Sequence, residues 1–345
     1  EKQDLTDDIK PLLGSSGGGN KNIIINGAMQ CAQYGSSSTT NGYGSVDRFK
    51  TTYSNTDEAP TQAQVDVASG TTPYTEGFRK ALKVTNGNQT SVGGSDDISV
   101  RQQIESQNIA QSGWDYTSSS SFITVSFWVK SSVAQTFFAG IRLYGSDQRE
   151  FCFSYALSAN TWTKVTKSIP GAAGNSIVNS TAIGAFLQFP LYWGTDFTDP
   201  GRTVDTWQVK NNAANYPVNT TTWYTTNDAT WEITGVQLEV GNVATEFDHK
   251  SFGQDLHLCH RYFHKTTSNN WFNLIEKGST YRRLRYEFPN IMRVVPTVSN
   301  ATGTRYEGSG TPTGTQHGST KKITFHWDSA GTSEIFSGCE FSAEL

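Results

Sequence analysis

The sequence predicts a mainly β protein, a jelly-roll β-sandwich followed by one helix and a smaller C-terminal β domain. Three observations lead there. Hydrophobic residues make up 35% of the 345 positions and charged residues only 17%; a balance rich in Gly, Ser, Thr and Asn suits short strands joined by turns. Period-2 segments succeed one another from Asn22 to Val240 with no helical pattern between them, so antiparallel sheets packed face to face are expected rather than βα units. The 9 Trp, 14 Tyr and 19 Phe residues supply the apolar bulk that a disordered chain lacks.

Taken in order, residues 1–21 combine an acidic stretch, "DLTDDIKPLLG", with a Gly/Ser linker, "SSGGGNK". Leu5, Ile9, Leu12 and Leu13 are too few to fold alone, which leaves a free tail or a peg that docks on a partner. Residues 22–250 carry the strand candidates "NIIIN", "KALKVTN", "DISVRQQI", "FITVSFWVKSS", "QTFFAGIRLYG", "REFCFSYAL", "WTKVTKSI" and "AIGAFLQFPLYW". The last of the series is "WEITGVQLEV". In it Trp231 and Ile233 share one parity and Val236, Leu238 and Val240 the other, so a β-bulge is expected at Gly235. The polar segment Thr195 to Asn227 lacks periodicity and is a candidate functional loop at one edge. In residues 251–345, Phe252, Leu256, Cys259 and Phe263 recur at helical spacing. "WFNLI", "RRLRYEF", "PTVSN", "KKITFHW" and "FSGCEFSAEL" then read as strands, with a Gly/Thr-rich loop from Ala301 to Thr320.

Alternation assigns faces. Ile123, Val125, Phe127 and Val129 point to the core, leaving Phe122, Trp128 and Lys130 outside. Phe137, Ala139, Ile141 and Leu143 go inward, with Phe138, Arg142 and Tyr144 opposite. Ile183, Ala185, Leu187 and Phe189 go inward, with Phe186, Gln188 and Tyr192 opposite. An outer face that mixes rings with amide and guanidinium groups has the composition of a sugar platform, with Trp128, Arg142, Tyr144, Gln188 and Tyr192 as its candidate ligand-binding residues. Parity alone favours the plainer alternative, in which loops or another subunit cover that face.

A net charge of −4 and a pI near 5.9 give no basic footprint for nucleic acid or anionic lipid. No apolar run approaches the roughly 18 residues needed to insert into a membrane, and "EKQDLTDDIK" lacks the features of a secretion signal. Cys31, Cys152, Cys259 and Cys339 lie far apart, as buried thiols of a reducing compartment would. His257, His260 and His264 share a helical stripe near Cys259 and His249, but zinc sites need ligands held by defined turns, and a polar helix face is the expectation. Asp96, Asp97, Asp196, Asp199 and Glu239 offer carboxylates for hydrolysis, yet no spacing pairs them across a cleft. Glu239 should face solvent or close a structural hydrogen bond. No G-x-S-x-G, H-E-x-x-H or phosphate-cradling loop occurs, so no catalytic residue, metal or cofactor is expected.

Two stretches resemble known families. "NIIINGAMQ", Asn22 to Gln30, resembles the opening of carbohydrate-binding-module jelly rolls; Gln30 stands where those modules prefer an acidic residue, so their structural calcium is not carried over. "YGSVDRF", Tyr43 to Phe49, and "ITGVQLEVGNVATEFDHKSFGQDLHLCHRYF", Ile233 to Phe263, are similar to bacteriophage tail-fibre and receptor-binding proteins of marine and cyanobacterial phages. Gly235, Gln237, Leu238, Glu239, Gly241, Ala244, Thr245, Phe247, Leu256, Cys259, Arg261 and Tyr262 stand at matching places. The resemblance implies a non-enzymatic virion protein, assembled in the host cytoplasm as a homotrimer, attached to other tail proteins through residues 1–21 and recognising host surface glycan. Two alternatives remain: a purely structural capsid-decorating or tail-connecting protein, and a polysaccharide depolymerase.

Overall fold

The computed structural model describes residues 21–266, 273–277, 282–299, 303–305, 308–310, 317–327, 334–335 and 339–345. Twelve strands build the sandwich: β1 (Ser37–Ser38), β2 (Lys50–Ser54), β3 (Thr61–Asp66), β4 (Lys80–Thr85), β5 (Asp97–Glu105), β6 (Phe122–Ser131), β7 (Gln135–Leu143), β8 (Arg149–Leu157), β9 (Thr163–Pro170), β10 (Ile183–Trp193), β11 (Trp207–Val209) and β12 (Thr230–Val240). They form two six-stranded antiparallel sheets, the first in the order β1-β3-β4-β12-β6-β9 and the second in the order β11-β8-β7-β10-β5-β2. Short helices α1 (Thr72–Thr75), α2 (Ser106–Ala110) and α3 (Thr222–Thr225) punctuate the connections.

The alternation read from β6 and β7 holds: Ile123, Val125, Phe127 and Val129 from the first sheet meet Phe137, Ala139, Ile141, Leu143 and Phe189 from the second in one core. Phe127 touches Phe189 edge-on with ring centroids 5.1 Å apart, and Phe189 in turn lies 5.8 Å from Trp231, so aromatic pairs bridge the sheets. The bulge falls where the parity break places it. Pairing of β12 with β6 slips between Thr234 and Gln237, and Gly235 has φ +62°. A Cβ there would also lie 2.6 Å from the Phe78 ring, so conformation and space both require glycine. The slip lets Trp231 and Ile233 before it, and Val236 and Leu238 after it, all enter the core.

Two expectations about strands change. "NIIIN" is not a strand but a turn laid beside the bulge: Ile23 N–H donates to Leu238 O at 2.9 Å, and Val236 N–H to Gly27 O at 2.9 Å. The Asn26 side chain closes this turn by accepting from Cys31 N–H (2.9 Å) and donating to Cys31 O (2.9 Å), local bonding that outcompetes a ladder. Conversely, β2 and β3, "KTTYS" and "TQAQVD", escape the sequence reading because they lack an apolar alternation. The buried Gln62 of β3 bonds backbone carbonyls of Thr40 and Gly42 instead.

After Val240 the chain turns through the motif that carries the phage resemblance, and the motif residues serve the fold. Glu239 is buried and accepts from Thr245 N–H (2.8 Å) and Thr245 Oγ1 (2.6 Å). Gln237 accepts from Asp248 N–H at 2.8 Å. Of the two places expected for Glu239, the structural hydrogen bond is the one found. Helix α4 (Phe252–Cys259) starts on a capping box, Ser251 with Gln254. It is shorter than the helical spacing suggested. Phe263 already lies in the next strand, Phe263–Lys265, and Phe252 is exposed.

The C-terminal unit pairs Phe263–Lys265 with Glu340–Ser342, which pairs with Thr297–Ser299; Arg282–Glu287 runs between Asn273–Lys277 and Lys322–Trp327. Where a loop was expected after Ala301, Gly303–Arg305 pairs with Gly308–Gly310; of the docking peptide and linker expected over residues 1–21, residues 1–20 lie outside the described residues. A charged seam joins this unit to the sandwich. Arg261 grips the fully buried Glu105 in two bonds (2.6 and 2.8 Å) and Tyr262 donates a third (2.6 Å). Burial would raise the Glu105 carboxyl, and these partners more than offset it, holding it below the usual carboxylate range. Arg48, also buried, pairs with Glu344, donates to Gln103 O at 2.6 Å and lies 3.4 Å over the Tyr262 ring. Among the described residues no helix is long and apolar enough to cross a membrane.

Candidate functional site

The outward side chains of β5, β7 and β10 share the outer face of the second sheet. In β5, Ile98 and Val100 enter the core, so alternation turns Asp97, Ser99 and Arg101 outward. Neighbouring β2 adds Thr52 and Ser54, paired across the ladder with Ser99 and Asp97. In β10, Gln188 faces out, and pairing with β5 then slips between Pro190 and Tyr192. Proline cannot donate to the ladder, so a bulge at Pro190 is its natural consequence. The slip inverts the parity beyond it: Tyr192 turns into the core and stacks on Tyr224 at 4.1 Å, while Trp193 comes to the outer face.

The polar segment singled out between Thr195 and Asn227 lies across this face, not merely at an edge. Its Tyr216 is fully buried against Phe138, Cys152 and Trp193, edge-on to Trp193 at 5.0 Å and accepting from Gln188 Nε2 at 2.9 Å. Phe197, Asn212 and Asn215 from the segment close a groove of about 390 Å³ with Asn41, Thr52, Tyr53, Ser54, Asp97, Ser99, Arg101, Arg142, Gln188 and Trp193. Rings of Trp193 and Phe197 thus stand beside amides and hydroxyls, while Tyr53 alternates inward and packs on the core.

Beneath the groove lies a buried ion cluster. Glu150, wholly covered, accepts from Arg142 Nη2 (2.9 Å) and Gln188 Nε2 (2.8 Å), with Arg202 Nη2 at 3.6 Å. Arg142 also donates to Asn215 Oδ1 at 3.0 Å, tying the covering segment to the sheet. Burial pushes the Glu150 carboxyl up and Arg142 pulls it back. Arg101, farther along the face, differs. Its Nε is buried without an acceptor, and burial together with nearby Arg142 pushes its guanidinium down. Asp97 is pushed up to about 6, chiefly by burial.

Of the residues the sequence singled out, Arg142 and Gln188 line the groove. Tyr144 lies on the same face with its ring 5.4 Å from Phe186 but outside the lining. Tyr192 is in the core, because the bulge at Pro190 inverts its parity. Trp128 belongs to the other sheet and is not exposed: α1, Phe78 and Phe247 cover it, and its Nε1–H donates to Glu76 at 2.9 Å. The five therefore do not form one platform. Trp193 and Arg101 were missed, and Asp97 was singled out only as a candidate carboxylate for hydrolysis, though Pro190 inside a strand pattern and the alternation of "DISVRQQI" signalled all three as groove residues.

Other candidates disperse. His264 lies in the strand after α4, where its ring meets the Tyr286 hydroxyl at 2.5 Å and burial lowers it to about 3; His260 falls to about 4 for the same reason. Asp96 accepts from Tyr224 Oη at 2.9 Å. A second cleft of about 520 Å³ runs beside Lys21–Ile25, α2 and α4, but its Arg261 and Tyr262 are committed to Glu105.

No protein-family model matches the chain, and no curated protein matches it. Solved structures that resemble it include the family 11 carbohydrate-binding module of a Clostridium thermocellum cellulosomal cellulase (11% identical over 62% of this chain and 98% of that one, TM-score 0.29). Others are the N-terminal cellulose-binding domain of a Cellulomonas fimi β-1,4-glucanase (14%, 62% and 99%, TM-score 0.29) and the xylan-binding domain of a Paenibacillus barcinonensis xylanase (8%, 56% and 87%, TM-score 0.27). At these values no residue role or ligand is transferred from them.

Proposed function

We propose that the chain binds saccharide without cleaving it, in the groove on the outer face of the second sheet. The observation that carries this reading is the groove's lining: Trp193 and Phe197 bring aromatic rings, and Asn41, Asn212, Asn215, Thr52 and Ser54 offer donors and acceptors around them. Pyranose rings have an apolar face and a hydroxyl rim, and such a wall meets both. Two-carboxylate hydrolysis needs a facing pair, whereas the lining holds one carboxylate, Asp97.

The reading extends to where the chain works: a virion tail-fibre or receptor-binding protein, homotrimeric, attached to neighbouring tail proteins through residues 1–21 and directed at host surface glycan. The support is the resemblance of Tyr43 to Phe49 and Ile233 to Phe263 to phage receptor-binding proteins. Several copies on one particle would turn weak groove affinity into strong attachment.

A glycan array followed by calorimetry with the full chain tests the binding claim. Binding is expected to fall about tenfold in Phe197→Ala, the order of one lost ring contact, and to fall also in Asn212→Ala. It should persist in Trp128→Phe, on the opposite sheet. A folded protein that binds no glycan would overturn the proposal, and locating the chain by density in purified particles tests the virion placement.

A further inference from the structure

We infer that the groove selects an anionic saccharide, one bearing a carboxylate or sulfate, and that Arg101 is the residue that reads the charge; this rests on the saccharide reading of the groove. The lining contains two guanidiniums and one carboxylate. Arg142 is already matched, since Glu150 and Asn215 take its donors. Arg101 is not. Among the described residues no carboxylate lies within ion-pair distance of it, and its buried Nε meets no acceptor. A buried donor without a partner is unusual enough in folded proteins to need a reason.

The surroundings add to the mismatch. Lys50 pairs with Arg101 across the β2–β5 ladder, and burial and Arg101 together push its amine down. Phe186 backs both guanidiniums, with Arg142 Cζ at 4.8 Å and Arg101 Cζ at 5.6 Å from the ring centroid, so the cations are held by a ring that cannot neutralise them. Asp97 shares the strand face two pleats away. A neutral sugar would leave this charge as it is, whereas a planar carboxylate or a sulfate ester on the ring fits the fork of donors that Arg101 presents. The Thr52 and Ser99 hydroxyls, 3.0 Å apart, stand on the same wall for the sugar's own hydroxyls.

Calorimetry on the full chain with three probes tests this: a neutral cello-oligosaccharide, an oligogalacturonide and a sulfated galactan oligosaccharide. At least one anionic probe should bind roughly ten- to a hundredfold more tightly than the neutral one at low salt, and the tighter arm names the anion. The margin should shrink toward about 0.15 M salt, where screening acts over about 8 Å. Arg101→Gln should bring the anionic probe down to the neutral level and Arg101→Lys should restore part of the margin, with melting curves confirming folded protein. If Arg101→Gln does not fold, the Arg101→Lys margin and the salt dependence of the native chain decide. Equal binding of neutral and anionic probes, or an anionic margin that survives Arg101→Gln, would overturn the inference and leave the saccharide reading intact. Absence of binding to all three, in a folded chain that also fails the wider glycan array, would remove both.

Discussion

Replacing Glu150 by glutamine keeps the shape of the side chain and removes the charge on which the floor of the groove depends. Glu150 is wholly covered and takes two donors from Arg142 (2.9 and 3.3 Å), one from Gln188 (2.8 Å), and has Arg202 at 3.6 Å. The amide retains one acceptor oxygen but presents its NH2 to a guanidinium, and two buried cations lose their counter-ion. Breaking a buried pair from one side costs about 3–5 kcal/mol. For a domain of this size each kcal/mol moves the melting temperature by about 2–4 °C, so a drop of roughly 6–20 °C is expected. Thermal and urea denaturation of Glu150→Gln measure it. The double variant Arg142→Met with Glu150→Leu should recover part of the loss, since apolar replacement of a whole pair is often tolerated, but not all, because Arg202 stays buried beside it. A single-variant loss below about 1 kcal/mol, the scale of a surface pair, would show the cluster to be solvated and its charges to be of little consequence for the groove floor.

Four further outcomes are expected. Asp97→Asn should stabilise the protein at neutral pH. The folded state holds the Asp97 proton up to about pH 6, against about 3.9 in the unfolded chain, so native stability falls as pH rises between those values and the variant escapes the fall. The advantage, discounted for solvent at the groove, should be about 1–2 kcal/mol above pH 6 and absent below pH 4 in denaturation curves. Gly235→Ala should cost about 2–5 kcal/mol, combining a left-handed φ with a clash on Phe78, and Phe78→Leu in the same chain should return part of it in urea melts. Tyr262→Phe removes one of the four side-chain bonds to buried Glu105; with Arg261→Ala it should expose the C-terminal unit to limited proteolysis while the sandwich stays intact. Trp128→Phe loses the bond to Glu76 and should cost about 1 kcal/mol in chemical denaturation.

Much of the sandwich was legible because its central strands send every second residue, apolar each time, into one core, as in Ile123 to Val129 and Phe137 to Leu143. The Gly235 bulge was legible too, since a parity break at a glycine has few other causes. What failed were places where alternation carries no hydrophobic signal or is interrupted. The polar strands β2 and β3 gave no pattern, and the bulge at Pro190 moved Tyr192 inward and Trp193 outward. Trp128 was read correctly as pointing away from the core, yet the segments around Phe78 and Phe247 cover it. Period-2 arguments assign a side chain to a face without saying what lies over that face. The groove depends on a crossing segment from Thr195 to Tyr216 whose course is set by tertiary bonds such as Arg142 to Asn215, which no local pattern encodes.

Saccharide binding at the groove can be watched directly, with the tryptophan indoles as reporters on both sheets. In a titration of the labelled full chain with saccharide, the Trp193 indole N–H resonance is expected to move and saturate with ligand, while Trp128, on the opposite sheet, and Trp231, in the core, stay still. A shift at Trp128 with Trp193 unmoved would put the ligand on the other sheet and contradict the groove as the binding site.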